Sequence, residues 1–437
     1  MELYDWLVIG LFCLALIGIV VWVVSKKNND SADYFLGGRD ATWIAIGASI
    51  FASNIGSEHL IGLAGAGASS GMAMAHWEIQ GWMILILGWV FVPFYTRSMV
   101  YTMPEFLERR YNKESRTILS VISLISYVLT KVAVTVYAGG LVFQQVFGIK
   151  ELWGIDFFWI AAIGLVLITA LYTIFGGMKS VLYTSVLQTP ILLLGSIIIL
   201  VLGLKAVGGW DQVMQICSAE PVNEYGDKMT DLMRDLRDPQ YPWLGALVGS
   251  AVIGFWYWCT DQFIVQRVLS GKNEKEARRG TIFGAYLKLL PVFIFLIPGM
   301  IAYALNVKSG GAFLPVDANG VAISDAAFPT LVAKLLPAGF KGLVVCGILA
   351  ALMSSLASLF NSSAMLFTID FYKRLRPETS EKALVRIGQI ATVVIVILGI
   401  LFFHLTHFWA KMQLLVFCGA GGKLPHTAIR DGHSHAF

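Results

Sequence analysis

Residues 52–59 place polar and ionisable side chains in the middle of an apolar segment. They include the amide of Asn54, the carboxylate of Glu58 and the imidazole of His59, with apolar residues on both sides. Ionisable groups at membrane depth are costly and usually functional. A helix broken at that depth is typical of an ion and solute site in a secondary transporter. The alternative is a kinked helix whose polar groups pair with neighbouring helices.

A second candidate segment is rich in small and hydroxyl side chains. Residues 350–358 read Ala-Ala-Leu-Met-Ser-Ser-Leu-Ala-Ser, and Asn-Ser-Ser follows at 361–363. Hydroxyls facing a broken helix would add oxygen ligands for a hard cation. Small residues also allow membrane helices to pack closely, and the segment alone does not decide between these roles.

Aromatic and polar residues cluster between positions 256 and 262, where Tyr257 and Trp258 precede Asp261. Flat aromatic faces can stack on the C–H faces of a sugar ring. Trp and Tyr are also ordinary residues of membrane interfaces, so both interpretations stay open. Asp261 inside the same apolar run favours a functional role.

Two lysines and one glutamate lie inside other apolar segments. Lys288 is roughly two turns from the edge of its segment, which is far for a side chain to reach the interface. Lys131 raises the same question. Glu78 has two possible roles, since it can stabilise a helix N-terminus or accept hydrogen bonds from ligand hydroxyls.

The composition is that of a membrane protein. The chain has 437 residues, of which 57% are hydrophobic and 14% charged, whereas soluble domains carry about 25% charged residues. The net charge of +4 is not organised into a nucleic-acid-binding patch, and the five cysteines lack metal-ligand spacing. We expect the lipid bilayer and a small solute as partners, without nucleic acid or an obligate protein partner.

Apolar stretches long enough to cross a bilayer recur along the chain. We place ten of them, at residues 5–24, 43–70, 77–100, 117–147, 154–175, 181–204, 243–266, 280–305, 341–369 and 386–404. With the N-terminus outside, roughly twice as many Lys and Arg residues fall in inside loops as in outside segments, which predicts that orientation. We therefore expect a multi-pass protein of the plasma or inner membrane.

Several motifs resemble the sodium/solute symporter family, in particular its sodium/glucose cotransporter branch. The first of these motifs is Ala-Ser-Asn-Ile-Gly-Ser, and the resemblance as a whole covers about residues 5–405. The motifs lie at residues 52–57, 62–65, 88–93, 102–105, 171–177, 183–189, 256–267, 286–289, 298–300, 329–332 and 352–356.

The resemblance implies an all-α fold of two inverted five-helix repeats with an extra N-terminal helix. Residues 1–405 would form the transmembrane domain of about ten helices. The first repeat would span residues 43–204, and the second, at 242–405, would be incomplete. Residues 406–437 would hold a partial span and an atypical tail, in which hydrophobic periodicity stops after Gly419.

The resemblance also assigns site residues. The sodium site would use the backbone carbonyls and hydroxyls of Ala52, Ile55, Ala351, Ser354 and Ser355. The sugar site would use Asn54, His59, Glu78, Tyr257, Trp258 and Lys288, with Tyr257 stacking as the inner gate.

This chain departs from the family pattern at several positions. Ser185 stands where relatives carry an aspartate, and Ala357 stands where members that bind two sodium ions have threonine, which favours a single sodium ion. Gly81 and Gly254 replace polar sugar contacts of a bacterial relative. By this resemblance, we expect no counterpart in this sequence of the family's sugar-binding glutamine on the tenth core helix.

The function expected from these features is Na⁺-coupled symport of a sugar or polyol by alternating access, and not enzymatic catalysis. The same scaffold could carry another solute, such as myo-inositol, an amino acid or a carboxylate. A membrane sensor that binds the solute without transporting it is the alternative from a different class.

Overall fold

The computed structural model describes residues 1–26, 30–56, 58–317 and 319–419. Within these ranges the chain is predominantly helical, as predicted. The described strands are β1 (Glu151–Leu152) and β2 (Ile155–Asp156), which pair as one short antiparallel hairpin.

The longer helices are numbered here in chain order. They are α1 Leu3–Ser25, α2 Ser31–Leu36, α3 Trp43–Asn54, α4 Ala64–Ser69, α5 Gly71–Ser98, α6 Met103–Arg110, α7 Lys113–Gln144, α8 Phe157–Val207, α9 Trp210–Cys217, α10 Trp243–Cys259, α11 Gln262–Leu269, α12 Glu274–Lys308, α13 Ala327–Leu335, α14 Phe340–Leu375 and α15 Glu381–Gly419. Short 3₁₀ turns lie at Gly37–Arg39 and Ser324–Ala326.

Among the described residues, seven helices are long and apolar enough to cross a membrane, or eight when α10 and α11 are counted as one span bent by 44°. The ten predicted segments map onto them in a simple way. The segments at 154–175 and 181–204 are the two arms of α8, and the segment at 43–70 is divided between α3 and α4, which are each too short to qualify.

Gly177 separates the two arms of α8. Its φ of +54° and ψ of −147° are not helical, and a side chain there would collide with the backbone carbonyl of Tyr34. Glycine is the residue that adopts this conformation without strain. The gap between the predicted segments at 154–175 and 181–204 therefore corresponds to a bend at Gly177.

Helix α14 lies at the centre of the bundle. In its most apolar window 89% of the residues are buried, against 17% for α1 at the periphery. It packs most extensively against α8 and also contacts α3, while α12 covers the other side of α3. The two helices that carry the predicted sodium ligands are therefore neighbours inside the bundle.

The loop that follows α9 closes over the end of α4. The Met72 amide donates to the Met229 carbonyl at 2.7 Å, and the Arg234 guanidinium donates to the carbonyl of Ser70. Asp238 holds the loop through hydrogen bonds that its carboxyl accepts from the backbone amides of Gln240 and Tyr241. Burial alone would raise the pKa of this carboxyl, but the hydrogen bonds outweigh burial and lower that pKa.

The last described helix is longer than the last predicted span. Helix α15 runs to Gly419, beyond the predicted limit at residue 404. Residues 420–437, which include most of the predicted atypical tail, lie outside the described residues. The division into a domain at 1–405 and a tail at 406–437 stays a prediction.

Candidate functional site

The predicted interruption of the second apolar segment is present. Helix α3 ends at Asn54, and Ile55 follows with extended backbone at φ −80° and ψ 106°. The chain becomes helical again in a π-helical turn at Glu58–Leu63, which leads into α4. A helix end leaves its last carbonyls without intrahelical partners, so the break exposes oxygen atoms inside the bundle.

One of these carbonyls meets the predicted hydroxyl pair. Ser355 on α14 donates its Oγ–H to the Ser53 carbonyl at 2.8 Å, and the same Oγ lies 3.4 Å from the Ile55 carbonyl. Ser355 is 5% exposed and Ile55 is fully buried. The structure therefore brings together two of the predicted sodium ligands, Ser355 on α14 and Ile55 just after α3.

Ser354 continues the polar contact on the same helix. Its Oγ lies 3.3 Å from Ser185 Oγ, which in turn lies 3.4 Å from Ser49 Oγ on α3. The Arg267 Nε–H donates to Ser49 at 3.1 Å. A chain of hydroxyls through Ser185 thus links α14 to a buried guanidinium.

Ala52 and Ala351, the other two predicted sodium ligands, lie on the same pair of helices. Both are buried, and each would contribute its backbone carbonyl. Ala52 is in the last turn of α3, where carbonyls lack helical partners. Ala351 is one turn before Ser354 and Ser355 on α14. The candidate ion ligands on this side of the break are neutral oxygen atoms.

Three predicted solute-site residues form a buried charged triad. Lys288 Nζ lies 2.7 Å from Glu78 Oε2 and 2.8 Å from His59 Nε2, while His59 Nε2 lies 3.2 Å from Glu78 Oε1. Their side chains are 4%, 7% and 5% exposed for Lys288, His59 and Glu78. The triad joins the second half of the broken helix to α5 and α12.

The remaining predicted solute residues adjoin the triad. The Asn54 side-chain amide donates to Tyr257 Oη at 3.0 Å. The Tyr257 ring packs edge-on against Trp258 with centroids 4.9 Å apart, and Lys288 Nζ lies 5.7 Å from the Trp258 ring. All six predicted residues are therefore brought into one region.

Some buried polar atoms of this region have unused hydrogen-bonding capacity. Within the described part of the chain, Asn54 Oδ1, His59 Nδ1 and Gln80 Oε1 are buried and have no hydrogen-bond partner. Buried polar groups are usually satisfied, and exceptions need an explanation such as a missing ligand or water. Two acceptors and one imidazole nitrogen are suited to hydroxyl groups.

Gln80 is a candidate site residue that the sequence analysis missed. A side chain at Gly254 would collide with Gln80 Oε1, and one at Gly81 would collide with the stem of Lys288. Gly254 and Gly81 therefore leave room for the polar side chains of Gln80 and Lys288. The available signal was the position of Gln80, two residues after Glu78 in the same apolar run.

Most of the chain matches one known protein family. The model of the sodium:solute symporter family matches residues 34–422. The chain belongs to this family. The predicted resemblance is thereby confirmed, and so are the all-α inverted-repeat fold and the multi-pass membrane location.

Two curated relatives indicate the branch of the family. The chain is 38% identical over 434 residues to sodium/myo-inositol cotransporter 2 of Bos taurus, covering 95% of this chain and 63% of the relative. It is 36% identical to the sodium/myo-inositol cotransporter of Homo sapiens, covering 92% of this chain and 58% of that protein. The chain therefore spans about three fifths of the length of the relatives it matches.

A solved structure supports the fold. A substrate-bound, outward-open Na⁺-coupled sialic acid symporter superposes with a TM-score of 0.79 and 23% identity, covering 93% of this chain and 83% of that one. At this identity the likeness establishes the architecture, and the chemistry has to be argued from the side chains.

Proposed function

We propose that this protein is a sodium-coupled symporter of a sugar or polyol that works by alternating access. The observation that carries the proposal is that one helix break serves two kinds of site. The residues before the break meet Ser355 through backbone carbonyls, and His59 after the break enters the triad with Glu78 and Lys288.

The oxygen donors near Ser355 suit sodium. Carbonyl and hydroxyl oxygens are the ligands that hard cations prefer, and they remain neutral at every physiological pH. The proposed set is the carbonyls of Ala52, Ile55 and Ala351 with the hydroxyls of Ser354 and Ser355. The distances of 2.8 and 3.4 Å from Ser355 to two carbonyls show how close the helices approach there.

The triad and its neighbours suit a ligand with many hydroxyl groups. Each hydroxyl both donates and accepts, so it can meet the carboxylate of Glu78, the ammonium of Lys288 and the unsatisfied Asn54 Oδ1 and Gln80 Oε1. The Tyr257 and Trp258 rings provide faces for the C–H surface of a ring. The relatives named for myo-inositol support a polyol, and we propose myo-inositol as the first solute to test.

Sodium would act by ordering the residues at the helix break. Bound between the end of α3 and α14, the ion fixes Asn54 and Ile55, and Asn54 then holds Tyr257 at the solute site. An ion drives such a change only by binding one state better than the other. With the N-terminus outside in the plasma or inner membrane, the potential contributes about 2.3 kcal/mol per charge per 100 mV to inward movement.

The proposal is tested by solute uptake into proteoliposomes containing the purified chain. Labelled myo-inositol should accumulate in the vesicles under an inward sodium gradient. Under an equal potassium gradient, its uptake should fall to the level of vesicles without protein. Uptake that is indifferent to sodium would overturn the proposal. Competition by glucose, an amino acid and a carboxylate identifies the solute class, and saturable binding without any uptake would favour the sensor.

A further inference from the structure

A second charged cluster lies beside Tyr257, apart from the triad. Lys131 on α7 places its Nζ 3.0 Å from Asp261 Oδ2, and the Tyr127 hydroxyl donates to Asp261 Oδ1. Asp261 is 2% exposed, so its charge needs partners inside the protein. Glu58, at the helix break, adds another negative charge to the surroundings of Lys131.

Asp261 occupies the bend between α10 and α11. Its carboxylate caps α11 by accepting the Phe263 amide at 3.1 Å, and the Phe263 amide also lies 3.1 Å from Tyr127 Oη. Because α10 ends two residues earlier at Cys259, Asp261 fixes the end of the helix that carries Tyr257.

Lys131 also contacts three aromatic rings at once. Its Nζ lies 4.9 Å from the Tyr127 centroid, 5.1 Å from that of Tyr257 and 5.0 Å from that of Phe263. Each distance is within the range in which an ammonium attracts the face of an aromatic ring. Lys131 belongs to a π-helical stretch of α7 at Ser126–Val132, a distortion that often occurs at functional sites.

We propose that Lys131, held by Asp261, is a positioning residue that sets the Tyr257 ring for solute binding. The ammonium attracts the ring on α10 while the Asp261 carboxylate fixes the ammonium, so the Tyr257 hydroxyl is kept within 3.0 Å of Asn54. This role rests on the proposed function, since it assigns Tyr257 to the solute site. It gives a role to a lysine that lies in an apolar segment and is not part of the triad.

The first test is a thermal double-mutant cycle that needs neither solute nor sodium. The variants are Lys131→Met, Tyr257→Phe and their combination, with thermal midpoints measured in detergent. If Lys131 holds the Tyr257 hydroxyl in place, the two losses are non-additive, because the second change removes a contact already lost. Additive losses would overturn the inference, whether or not the protein transports a polyol.

Arg116→Met is the matched control for this cycle. Arg116 also lies on α7 and forms a buried ion pair, with Asp370 at 2.5 Å, but it does not contact Tyr257. Its loss should lower the midpoint and be additive with Tyr257→Phe. This control separates a general effect of breaking a buried ion pair on α7 from the specific effect on the ring.

The second test measures myo-inositol binding at saturating sodium. Lys131→Met should raise the apparent Kd about tenfold, Lys131→Arg should recover most of the affinity, and the sodium needed for half-saturation should stay within about twofold. A Lys131→Met variant that folds and binds with wild-type affinity would overturn the inference. If the wild-type protein binds no polyol in the presence of sodium, the proposed function is contradicted. The thermal double-mutant cycle then still tests whether Lys131 positions Tyr257.

Discussion

The contact between α3 and α14 and the triad around Lys288 lie at the two sides of one helix break, and they use different chemistry. The first is made of carbonyls and the hydroxyls of Ser354 and Ser355, all neutral. The second buries a carboxylate, an ammonium and an imidazole within 3.2 Å of one another. Loss of one hydroxyl leaves a neutral carbonyl without a hydrogen bond, whereas a buried triad that loses one member keeps an unpaired charge, which costs more.

This difference predicts separate consequences for the two regions. Changes at the hydroxyl contact should alter the sodium requirement and leave the fold largely intact. Changes in the triad should weaken the protein and its solute binding together. The following predictions test this division, from the largest expected effect to the smallest.

Lys288→Met should have the largest effect. It leaves Glu78 buried without its ammonium partner, and breaking a buried ion pair in this way typically costs about 3–5 kcal/mol. We expect solute binding to be lost and the thermal midpoint to fall. Binding of labelled myo-inositol and thermal unfolding in detergent measure the two effects.

Lys272→Met is the control for the loss of a lysine. Lys272 lies 3.8 Å from Asp40, and both side chains are exposed, at 64% and 69%. Exposed ion pairs contribute about 0–1 kcal/mol, so little should change. Equal losses in both lysine variants would contradict the importance given to burial of the triad.

Ser355→Ala should have an intermediate and selective effect. It removes a proposed sodium ligand and the hydrogen bond to the Ser53 carbonyl. We expect the sodium concentration for half-maximal uptake to rise by about tenfold or more, which corresponds to roughly 1.4 kcal/mol or more of lost ion binding. Sodium titration of myo-inositol uptake measures this effect.

Ser358→Ala controls for the loss of a buried hydroxyl on α14. Ser358 is 2% exposed, but its hydroxyl donates to the Ser354 carbonyl within the same helix, at 2.7 Å. Its removal should leave the sodium requirement within about twofold of wild type. An unchanged sodium requirement in Ser355→Ala would refute the assignment of the ion site.

Gly254→Ala should have the smallest effect of the three. The new methyl group would meet the end of the Gln80 side chain, which is flexible and can move aside. We expect the apparent Kd for the solute to rise a few-fold, about 0.5–1 kcal/mol, with no change in sodium dependence. Equilibrium binding at saturating sodium is the measurement.

Gly249→Ala is the matched control on the same helix. Nothing lies within 4 Å of the position that its new Cβ would occupy. It should bind the solute like the wild type. If both glycine variants weaken binding equally, the effect belongs to α10 as a whole, and Gln80 has no part in the solute site.

The sequence predicted the regions of this site better than their contacts. The break near Gly56 was evident because Glu58 and His59 are expensive in an apolar run. The role of Ser354 and Ser355 was ambiguous, because small and hydroxyl residues serve helix packing equally well. The contacts of Ser355 with the carbonyls of Ser53 and Ile55 support the ion-binding interpretation, because they place the hydroxyl at the helix break.

Other features depend on tertiary contacts that a single sequence does not reveal. The sequence analysis singled out Lys131 and Asp261 separately, in segments about 130 residues apart, and their pairing follows only from the packing of α7 against the α10–α11 bend. Gln80 was missed because an amide in an apolar run is a weak signal until Gly254 is found against it. By contrast, the bend in α8 falls in the gap between the predicted segments at 154–175 and 181–204, where Gly177 lies.

The most direct test of the account is binding of radiolabelled sodium to the purified chain and to two variants. The account predicts saturable sodium binding by the wild type, a loss of that binding in Ser355→Ala, and its retention in folded Lys288→Met protein. Retained sodium binding in Ser355→Ala, together with its loss in folded Lys288→Met, would contradict the proposed division between an ion contact of neutral oxygens and a charged solute site.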